Sequence, residues 1–210
     1  MSPGGVGVLA LQGDAGAHAA ALERLGVRPR GVRRRADLAG LTHLVLPGGE
    51  STTLAHLIDL FDLRDELQRR VRGGSLAVLG TCAGAILLGR GSGPPRRLEL
   101  LDADLVRNAY GRQVDSFAGE VALVGDPAPL RGVFIRAPRI ERVGSEVEVL
   151  GHRTGRAGAP GEPVLLRSGN LVAATFHPEL TDDPRVHAAF LALRPEHPPA
   201  DRALHGSATA

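Results

Sequence analysis

The sequence predicts a three-layer α/β fold, in which a mostly parallel central sheet has helices on both faces and a smaller antiparallel extension. Continuous apolar runs of strand length recur along the chain, and such runs are typical of parallel strands covered on both faces. Up to Leu88 these runs alternate with segments of helical periodicity, which is the pattern of a parallel sheet. From residue 98 to residue 167 short strand patterns follow one another without helices, which indicates antiparallel pairing.

Length and composition favour one globular domain. A chain of 210 residues is long enough to bury a substantial core, and its apolar content of 43% is ordinary for such a protein. Aromatic residues make up only 3%, so the core must consist of Leu, Val, Ile and Ala. We expect a single domain over residues 1–194 and a flexible tail over 195–210, where the sequence is polar and rich in Pro and Ala.

Charge and cysteine content exclude several classes of function. The net charge of +2 is small and Arg alternates with acidic residues, so no nucleic-acid partner is expected. One cysteine allows neither an internal disulfide nor a Cys-pair zinc site, and fits a cytoplasmic location. No basic leader and no run near the roughly 20 apolar residues of a membrane span is found, so no membrane association is expected.

The first strand and helix follow directly from the N-terminal pattern. Val6 to Leu11 is an apolar run of strand length. The loop Gln12-Gly13-Asp14 follows, and Asp14 can cap a helix over residues 15–25. Gly26 ends that helix, a second strand is expected over Val27 to Val32, and a short linking turn over 36–41.

The third strand leads into a glycine-rich turn. Leu41 to Leu46 is strand-like and ends in Pro47-Gly48-Gly49-Glu50-Ser51-Thr52-Thr53, where Ser51 or Thr52 can cap the next helix. A strand, a Gly-Gly turn and a helix start leave free N–H groups that face one crevice. The same pattern is also compatible with a simple strand-to-helix connection.

Cys82 lies in the most informative stretch, Leu76 to Leu88. An amphipathic helix over Leu63 to Val71 precedes an apolar run, which ends in Gly80-Thr81-Cys82-Ala83-Gly84 and continues as a second apolar run. A thiol at a sharp strand-to-helix turn is in a favourable place for a nucleophile, because helix N-terminal amides stabilise negative charge. The alternative is a small apolar side chain in a core turn.

The second half supplies the antiparallel additions and a final parallel strand. Strands are expected over Leu98 to Val106, Phe117 to Val124 and Gly132 to Ile135, and a hairpin over Val143 to His152 and Pro163 to Arg167. A buried strand over Leu171 to Phe176 and a last helix over Asp183 to Leu193 complete the domain.

His177 and Glu179 follow the last of these strands. Pro178 biases His177 towards an extended conformation, and residues i and i+2 of an extended segment point to the same side. The carboxylate can then fix the tautomer of the ring. An ordinary solvated His and Glu at a strand end is the alternative.

The other histidines lack metal-ligand spacing and are expected to be structural or solvated, so we expect no metal and no cofactor. They are His18, His43, His56, His152, His187, His197 and His205.

Three loops should converge at one edge of the sheet. Gln12, Gly48-Gly49 and Cys82 all follow parallel strands, whose carboxyl ends carry the functional loops of such sheets. A thiol, a histidine oriented by a carboxylate and free amides together form a set for acyl transfer. In this reading the backbone N–H groups of Gly49 and Ala83 hold the oxyanion.

The motifs resemble those of a known family. GTCAG, a distant HPE and an upstream PGGES resemble the class I, triad-type glutamine amidotransferases, which have a flavodoxin-like fold. The match is narrower for LALQGD, LPGGESTT, GTCAGAILL, RNAYGRQVDSF, FIRAP and FHPEL, which span residues 9–180. With these segments the chain resembles the glutaminase subunits of pyridoxal 5′-phosphate synthase.

The resemblance implies a full set of roles. Cys82 is the nucleophile that forms a thioester, with His177 and Glu179 completing the triad. Gln12 lies where a synthase subunit, a (β/α)₈ barrel, docks and receives the ammonia in a hetero-oligomeric complex. The implied contacts to the substrate, L-glutamine, are Gly49, Glu50, Ser51, Arg107, Ile135 and Arg136. An amino acid needs a cation for its carboxylate and an acceptor for its ammonium group, which Arg and Glu supply.

Three other interpretations remain open. A glutaminase that serves another acceptor, such as an imidazole-forming synthase, would share the triad but not RNAYGRQ or FIRAP. A cysteine-elbow peptidase, deglycase or sensor of similar fold would not need the HPE or PGGES segments. A non-catalytic binding subunit would not need Cys82, His177 and Glu179 together.

Overall fold

The computed structural model describes residues 4–107, 116–154 and 161–196. Within these residues the strands are β1 (Gly5–Leu9), β2 (Arg30–Val32), β3 (Leu41–Leu46), β4 (Ala77–Thr81), β5 (Ala103–Val106), β6 (Phe117–Leu123), β7 (Leu130–Phe134), β8 (Arg139–Val143), β9 (Glu148–Arg153), β10 (Glu162–Ser168) and β11 (Leu171–Ala174). The α-helices are α1 (Ala15–Arg24), α2 (Ser51–Leu60), α3 (Arg64–Arg72), α4 (Ala83–Leu88) and α5 (Arg185–Leu191).

The main sheet has nine strands in the order β2-β1-β3-β4-β11-β10-β9-β6-β7. The strands from β2 to β11 in this order pair in parallel. Every residue of β3, β4 and β11 is buried, which explains why their sequences are continuous apolar runs. Their carboxyl ends therefore lie at a common edge of the sheet, as predicted.

The antiparallel half of the sheet curls back towards the parallel half. Strands β10, β9, β6 and β7 pair in antiparallel fashion beyond β11. The N–H of His177, just after β11, donates to the carbonyl of Val133 on β7 at 2.8 Å. Phe134 stacks on Phe117 with 4.9 Å between ring centroids, and lies 5.6 Å from the ring of Phe176. This curvature brings the residues after β7 to the carboxyl edge of the parallel strands.

Two separate cores cover the two faces of the sheet. On β3, Leu44 and Leu46 belong to one core and Val45 to the other, because successive side chains of a strand point to opposite faces. The first core includes Leu54 of α2, Leu67 of α3 and Leu87 of α4, and the second includes Leu22 of α1 with Val186 and Phe190 of α5. The three-layer fold that the sequence predicts is thereby confirmed.

Some element boundaries differ from the predictions. The strand expected over Leu98 to Val106 is only β5, which pairs with β8 in a separate two-stranded sheet. Strand β8 was not predicted, and the linking turn expected over 36–41 overlaps a 3-10 turn, Arg35–Leu38. The predicted hairpin is present as β9 and β10, and its loop residues 155–160 lie outside the described residues.

The described part of the chain extends to residue 196, past residue 194, where the domain is predicted to end. Glu196 donates its N–H to the carbonyl of Gly74 at 2.8 Å, and residues 197–210 of the predicted tail lie outside the described part. A search of the described helices finds none that is long and apolar enough to cross a membrane.

Candidate active site

Cys82 occupies a sharp turn between β4 and α4. Its backbone has φ +47° and ψ −103°, and only 6% of the residue is exposed. A positive φ is uncommon for a residue other than glycine and is typical of functional turns. A side chain on Gly84 would meet the carbonyl of Leu46, so this glycine is needed for α4 to approach β3. Cys82 therefore presents its thiol at the carboxyl edge of the sheet.

The thiol lies between His177 and the segment after β7. Sγ of Cys82 is 3.8 Å from the carbonyl oxygen of Ile135, and Cys82 is close enough to His177 to raise the pKa of its imidazole. A Cβ atom added to Gly48 would overlap the ring of His177. The imidazole is thus held between the Gly-Gly turn and the thiol.

Glu179 is hydrogen-bonded to the other side of the His177 ring. Nδ1 of His177 and Oε1 of Glu179 are 2.7 Å apart, and Glu179 is 6% exposed. The predicted contact is present, although the segment is not extended throughout: a 3-10 turn, Pro178–Leu180, begins directly after His177. Pro178 favours that turn, because its fixed φ and missing N–H suit a first helical position.

Burial and hydrogen bonds have opposite effects on the charges of this pair. Burial opposes a charge on His177, but hydrogen bonds to the Cys82 thiol and to Glu179 prevail and raise the pKa of His177 to about 10. Burial likewise opposes the charge of Glu179, but the hydrogen bond from His177 holds its pKa below the ordinary value. The arrangement favours an imidazolium between a sulfur atom and a carboxylate.

A pocket of about 150 Å³ opens beside Cys82 and His177. The remaining lining residues include every substrate contact that the resemblance implies: Gly49, Glu50, Ser51, Arg107, Ile135 and Arg136. The pocket is lined as well by Ile86 of α4, which the sequence analysis did not single out. A buried apolar residue within a helix carries no sign in the sequence that it faces a pocket.

Glu50 caps helix α2, where the sequence analysis expected Ser51 or Thr52. Its carboxylate accepts from the N–H groups of Thr52 and Thr53 at 3.0 and 2.6 Å. The expected cap is wrong because Glu50, in extended conformation, precedes the first turn and its side chain folds back over it. Partial burial opposes its charge, but these N–H bonds lower the pKa of Glu50 to about 2. Arg107 completes the group, with Nη2 at 3.1 Å from Oε1 of Glu50.

Comparison with known proteins identifies the family. The SNO glutamine amidotransferase family matches residues 8–194. A relative from Thermus thermophilus, described as pyridoxal 5′-phosphate synthase subunit PdxT, is 51% identical over 193 residues, which cover 90% of this chain and 97% of that protein. A Mycobacteroides abscessus protein of the same description is 48% identical over 190 residues, covering 89% and 95% of the two chains. The chain belongs to the SNO glutamine amidotransferase family.

Solved structures agree with this membership. A crystal structure of a glutamine amidotransferase superposes with a TM-score of 0.81 at 49% identity, covering 89% of this chain and 96% of the other. PurLQS from Thermotoga maritima has a TM-score of 0.69 at 17% identity, covering 91% and 98%, and shows a shared fold alone. The overall fold is thus shared with a glutamine amidotransferase of about half identity and with a more distant protein.

Gln12 joins two loops at the edge of the pocket in this SNO family member. Its Oε1 accepts from the N–H of Glu50 at 3.2 Å, and its side chain fills the space next to Gly49, where a Cβ would clash. Gly49 has φ +142°, a conformation that glycine adopts readily. The conformation of the Gly-Gly turn therefore depends on a side chain from the β1–α1 loop.

The structure also places buried residues that sequence reasoning did not connect with the site. His18 of α1 lies against Glu179, with Nε2 at 3.4 Å from Oε2. From the sequence, His18 is expected to be structural or solvated, because an isolated histidine on the apolar face of a helix gives no indication of its partner. Of the segment RNAYGRQVDSF, Asn108 to Asp115 lie outside the described residues, so only Arg107 is placed in the pocket.

Proposed function

We propose that this chain hydrolyses L-glutamine to L-glutamate and ammonia, and delivers the ammonia to the barrel subunit of pyridoxal 5′-phosphate synthase. One observation carries the proposal. Cys82, His177 and Glu179 form an uninterrupted series of contacts at the wall of a pocket that also holds two arginines and a glutamate. Relatives of about half identity over nearly the whole chain are described as PdxT subunits of that synthase, which supports the choice of acceptor.

Proton transfer from the Cys82 thiol to Nε2 of His177 gives the thiolate–imidazolium pair that the site favours before the substrate reacts. The thiolate attacks the side-chain amide carbon of glutamine, and the carbonyl electrons move to oxygen. When the tetrahedral intermediate collapses, the C–N bond breaks and the imidazolium gives its proton to the leaving nitrogen, so that ammonia and a thioester form. Water, deprotonated by His177, then hydrolyses the thioester, releasing glutamate and the thiol. Glu179 keeps Nδ1 protonated and the ring oriented throughout.

The oxyanion would be held by backbone N–H groups of Gly49 and Ala83. Ala83 is the first residue of α4, and the first N–H groups of a helix have no intrahelical acceptor. Gly49 borders the pocket beside Cys82. One such donor is typically worth about 3 kcal/mol of barrier.

The charged pocket residues suit an amino acid. Glu50 and Arg107 form an ion pair with each other. The N–H groups of Arg107 can also bind the carboxylate of a substrate, and the carboxylate oxygens of Glu50 can also bind its ammonium group. Within residues 4–107, 116–154 and 161–196, Arg136 is a second pocket cation, and no ion pair with a carboxylate occupies it. The excess positive charge favours the α-carboxylate of glutamine.

The test combines this chain with the synthase subunit and follows two products separately. Glutamate formation from glutamine measures the glutaminase step, and pyridoxal 5′-phosphate formation measures delivery. Cys82→Ala should reduce glutamate formation to background, because no other thiol is present in the chain. With an ammonium salt as nitrogen donor, the Cys82→Ala complex should make pyridoxal 5′-phosphate as fast as wild type.

Two outcomes would contradict the proposal. Normal glutamate release by Cys82→Ala would remove the thiol from the mechanism. Glutamate release by wild type without pyridoxal 5′-phosphate formation, but with activation by an imidazole-forming synthase, would assign the glutaminase to another acceptor.

A further inference from the structure

Two buried histidines lie behind Glu179, and the proposed mechanism uses neither of them. His18 on α1 and His187 on α5 are 0% and 1% exposed. Nδ1 of His18 and Nε2 of His187 are 3.0 Å apart, so the rings are hydrogen-bonded. Buried side chains of this polarity are usually kept for a specific contact, because removing them from water is costly.

His18 faces the carboxylate oxygen that His177 does not use. Nε2 of His18 lies 3.4 Å from Oε2 of Glu179 and 3.1 Å from the hydroxyl of Thr81. Among the described residues Oε2 has no hydrogen-bond partner of ordinary length, and the Glu179 side chain is 1% exposed. A buried carboxylate is more stable when donors face both of its oxygens. His18 is placed to supply the second donor.

The contacts favour one tautomer of each ring. If both rings carry hydrogen on Nε2, His187 donates to Nδ1 of His18, and His18 points its N–H at Thr81 and Glu179. What remains is a lone pair on Nδ1 of His187, an atom without a partner in the described structure. The reverse tautomers would bury an N–H of His187 without an acceptor and turn a lone pair of His18 towards a carboxylate. Both consequences are unfavourable, so the first arrangement is the stable one.

Both histidines are neutral near pH 7 in this environment. Burial lowers the pKa of His18, although Glu179 and the more distant Asp14 act in the opposite direction and His177 adds to the lowering. Burial, then His18, lower the pKa of His187 to about 4, with Arg24 contributing and Glu179 opposing. A neutral donor fixes the carboxylate without cancelling its negative charge, which stays available to His177.

We infer that His18, itself oriented by His187, is a positioning residue that holds Glu179 in the rotamer that aligns His177 with Cys82. The inference rests on the proposed glutaminase mechanism. Without His18, Oε2 of Glu179 loses its facing donor, and the carboxylate can rotate away from His177 or take up a proton. Its ionised form is then less stable, so its pKa rises.

The test compares His18→Leu, which removes the donor, with His18→Gln, which keeps an N–H at a similar reach. In the complex with the synthase subunit, His18→Leu should lower kcat for glutamine about tenfold, and leave KM unchanged because no pocket wall is altered. The acid limb of the kcat profile should move to higher pH. His18→Asn, whose shorter amide does not reach Glu179, should show the same loss of kcat as His18→Leu. It replaces His18→Leu in the test if that variant folds poorly.

His43→Leu is the matched control. His43 is 2% exposed and contacts Thr42 and the ring of Phe190, so its replacement also removes a buried imidazole. It should change stability while leaving kcat and the pH profile as in wild type. His18→Gln should restore most of the activity that His18→Leu loses.

A second readout needs no substrate. The alkylation rate of Cys82 by iodoacetamide reports the thiolate, and it can be followed by mass because the chain has no other cysteine. His18→Leu should shift the rise in rate to higher pH, since the imidazolium that pairs with the thiolate is less well supported. Wild-type kcat and an unshifted alkylation profile in both His18→Leu and His18→Asn would overturn the inference. Failure of wild type to hydrolyse glutamine would instead overturn the proposed function.

Discussion

At the scale of single residues, the geometry of the site depends on a glycine as well as on the functional side chains. Gly48 has no Cβ, and the ring of His177 occupies the space where one would lie. Its φ is not among the positive values of the chain, so alanine is acceptable for the backbone. The restriction at Gly48 is therefore steric contact with the predicted catalytic base.

Gly48→Ala should consequently impair catalysis without unfolding the chain. We expect kcat for glutamine to fall about 100-fold, because displacement of a catalytic group by about 1 Å has an effect of that size. Circular dichroism and the denaturation midpoint should stay close to wild type. Gly16→Ala on α1 is the control: its Cβ would meet only Asp14, at an ordinary distance of 3.6 Å, and helix propensity should raise stability by up to about 1 kcal/mol. Wild-type kcat in Gly48→Ala would show that the ring can move without loss.

At the scale of elements, α3 is attached to the sheet through a buried arginine. Arg70 is 4% exposed and donates to the carbonyls of Leu38, at 2.7 Å, Leu41 and Ser75, at 3.3 Å. These carbonyls lie at the ends of the segments that enter β3 and β4. One guanidinium thus satisfies backbone groups that would otherwise be buried without donors.

Arg70→Leu should be strongly destabilising. It leaves several buried carbonyl oxygens without donors, and we expect a loss of about 3 kcal/mol in the free energy of unfolding, measured by urea denaturation. Arg69→Leu, one position away, is the control. Arg69 pairs with Glu66 on the surface, with its side chain 66% exposed, so less than about 1 kcal/mol should be lost. Equal effects of the two substitutions would mean that the buried contacts contribute no more than the surface pair.

The elements also show where sequence reasoning reaches its limit. Strands β3, β4 and β11 were predictable because burial on both faces leaves a continuous apolar run. Strand β8, with the sequence RIERV, was not, because only one of its residues is fully buried and its pattern resembles a loop. His18 was likewise out of reach, since its partner Glu179 is 161 residues away and only the packing of α1 against the end of β11 brings them together. The loops that follow the parallel strands could be placed from the apolar pattern, whereas the pocket residues Arg107, Ile135 and Arg136 were expected only because of the family resemblance.

At the scale of the whole molecule, the site lies at an edge where loops from distant parts of the chain meet. Gln12 links the β1–α1 loop to Glu50 and Gly49, and among the described residues its Nε2 is buried without a hydrogen-bond partner. An unsatisfied buried amide costs about 1–3 kcal/mol, so a new acceptor within reach of this Nε2 would be favourable. A partner that supplies an acceptor at the β1–α1 loop would shift Gln12, and with it the Gly49 N–H proposed for the oxyanion.

The isolated chain should therefore hydrolyse glutamine slowly, and the synthase subunit should raise the rate at least about tenfold, which is an ordinary coupling between two sites. Gln12→Leu should bind the partner but lose most of that activation, because no side-chain amide connects the partner surface with the Gly-Gly turn. Glu23→Gln, exposed at the opposite end of α1, is the control and should be activated like wild type. Glutamate release is measured with and without saturating partner, and binding by calorimetry. Full activity of the isolated wild-type chain would show that the oxyanion donors are already in place, and normal activation of Gln12→Leu would show that the partner acts through another loop.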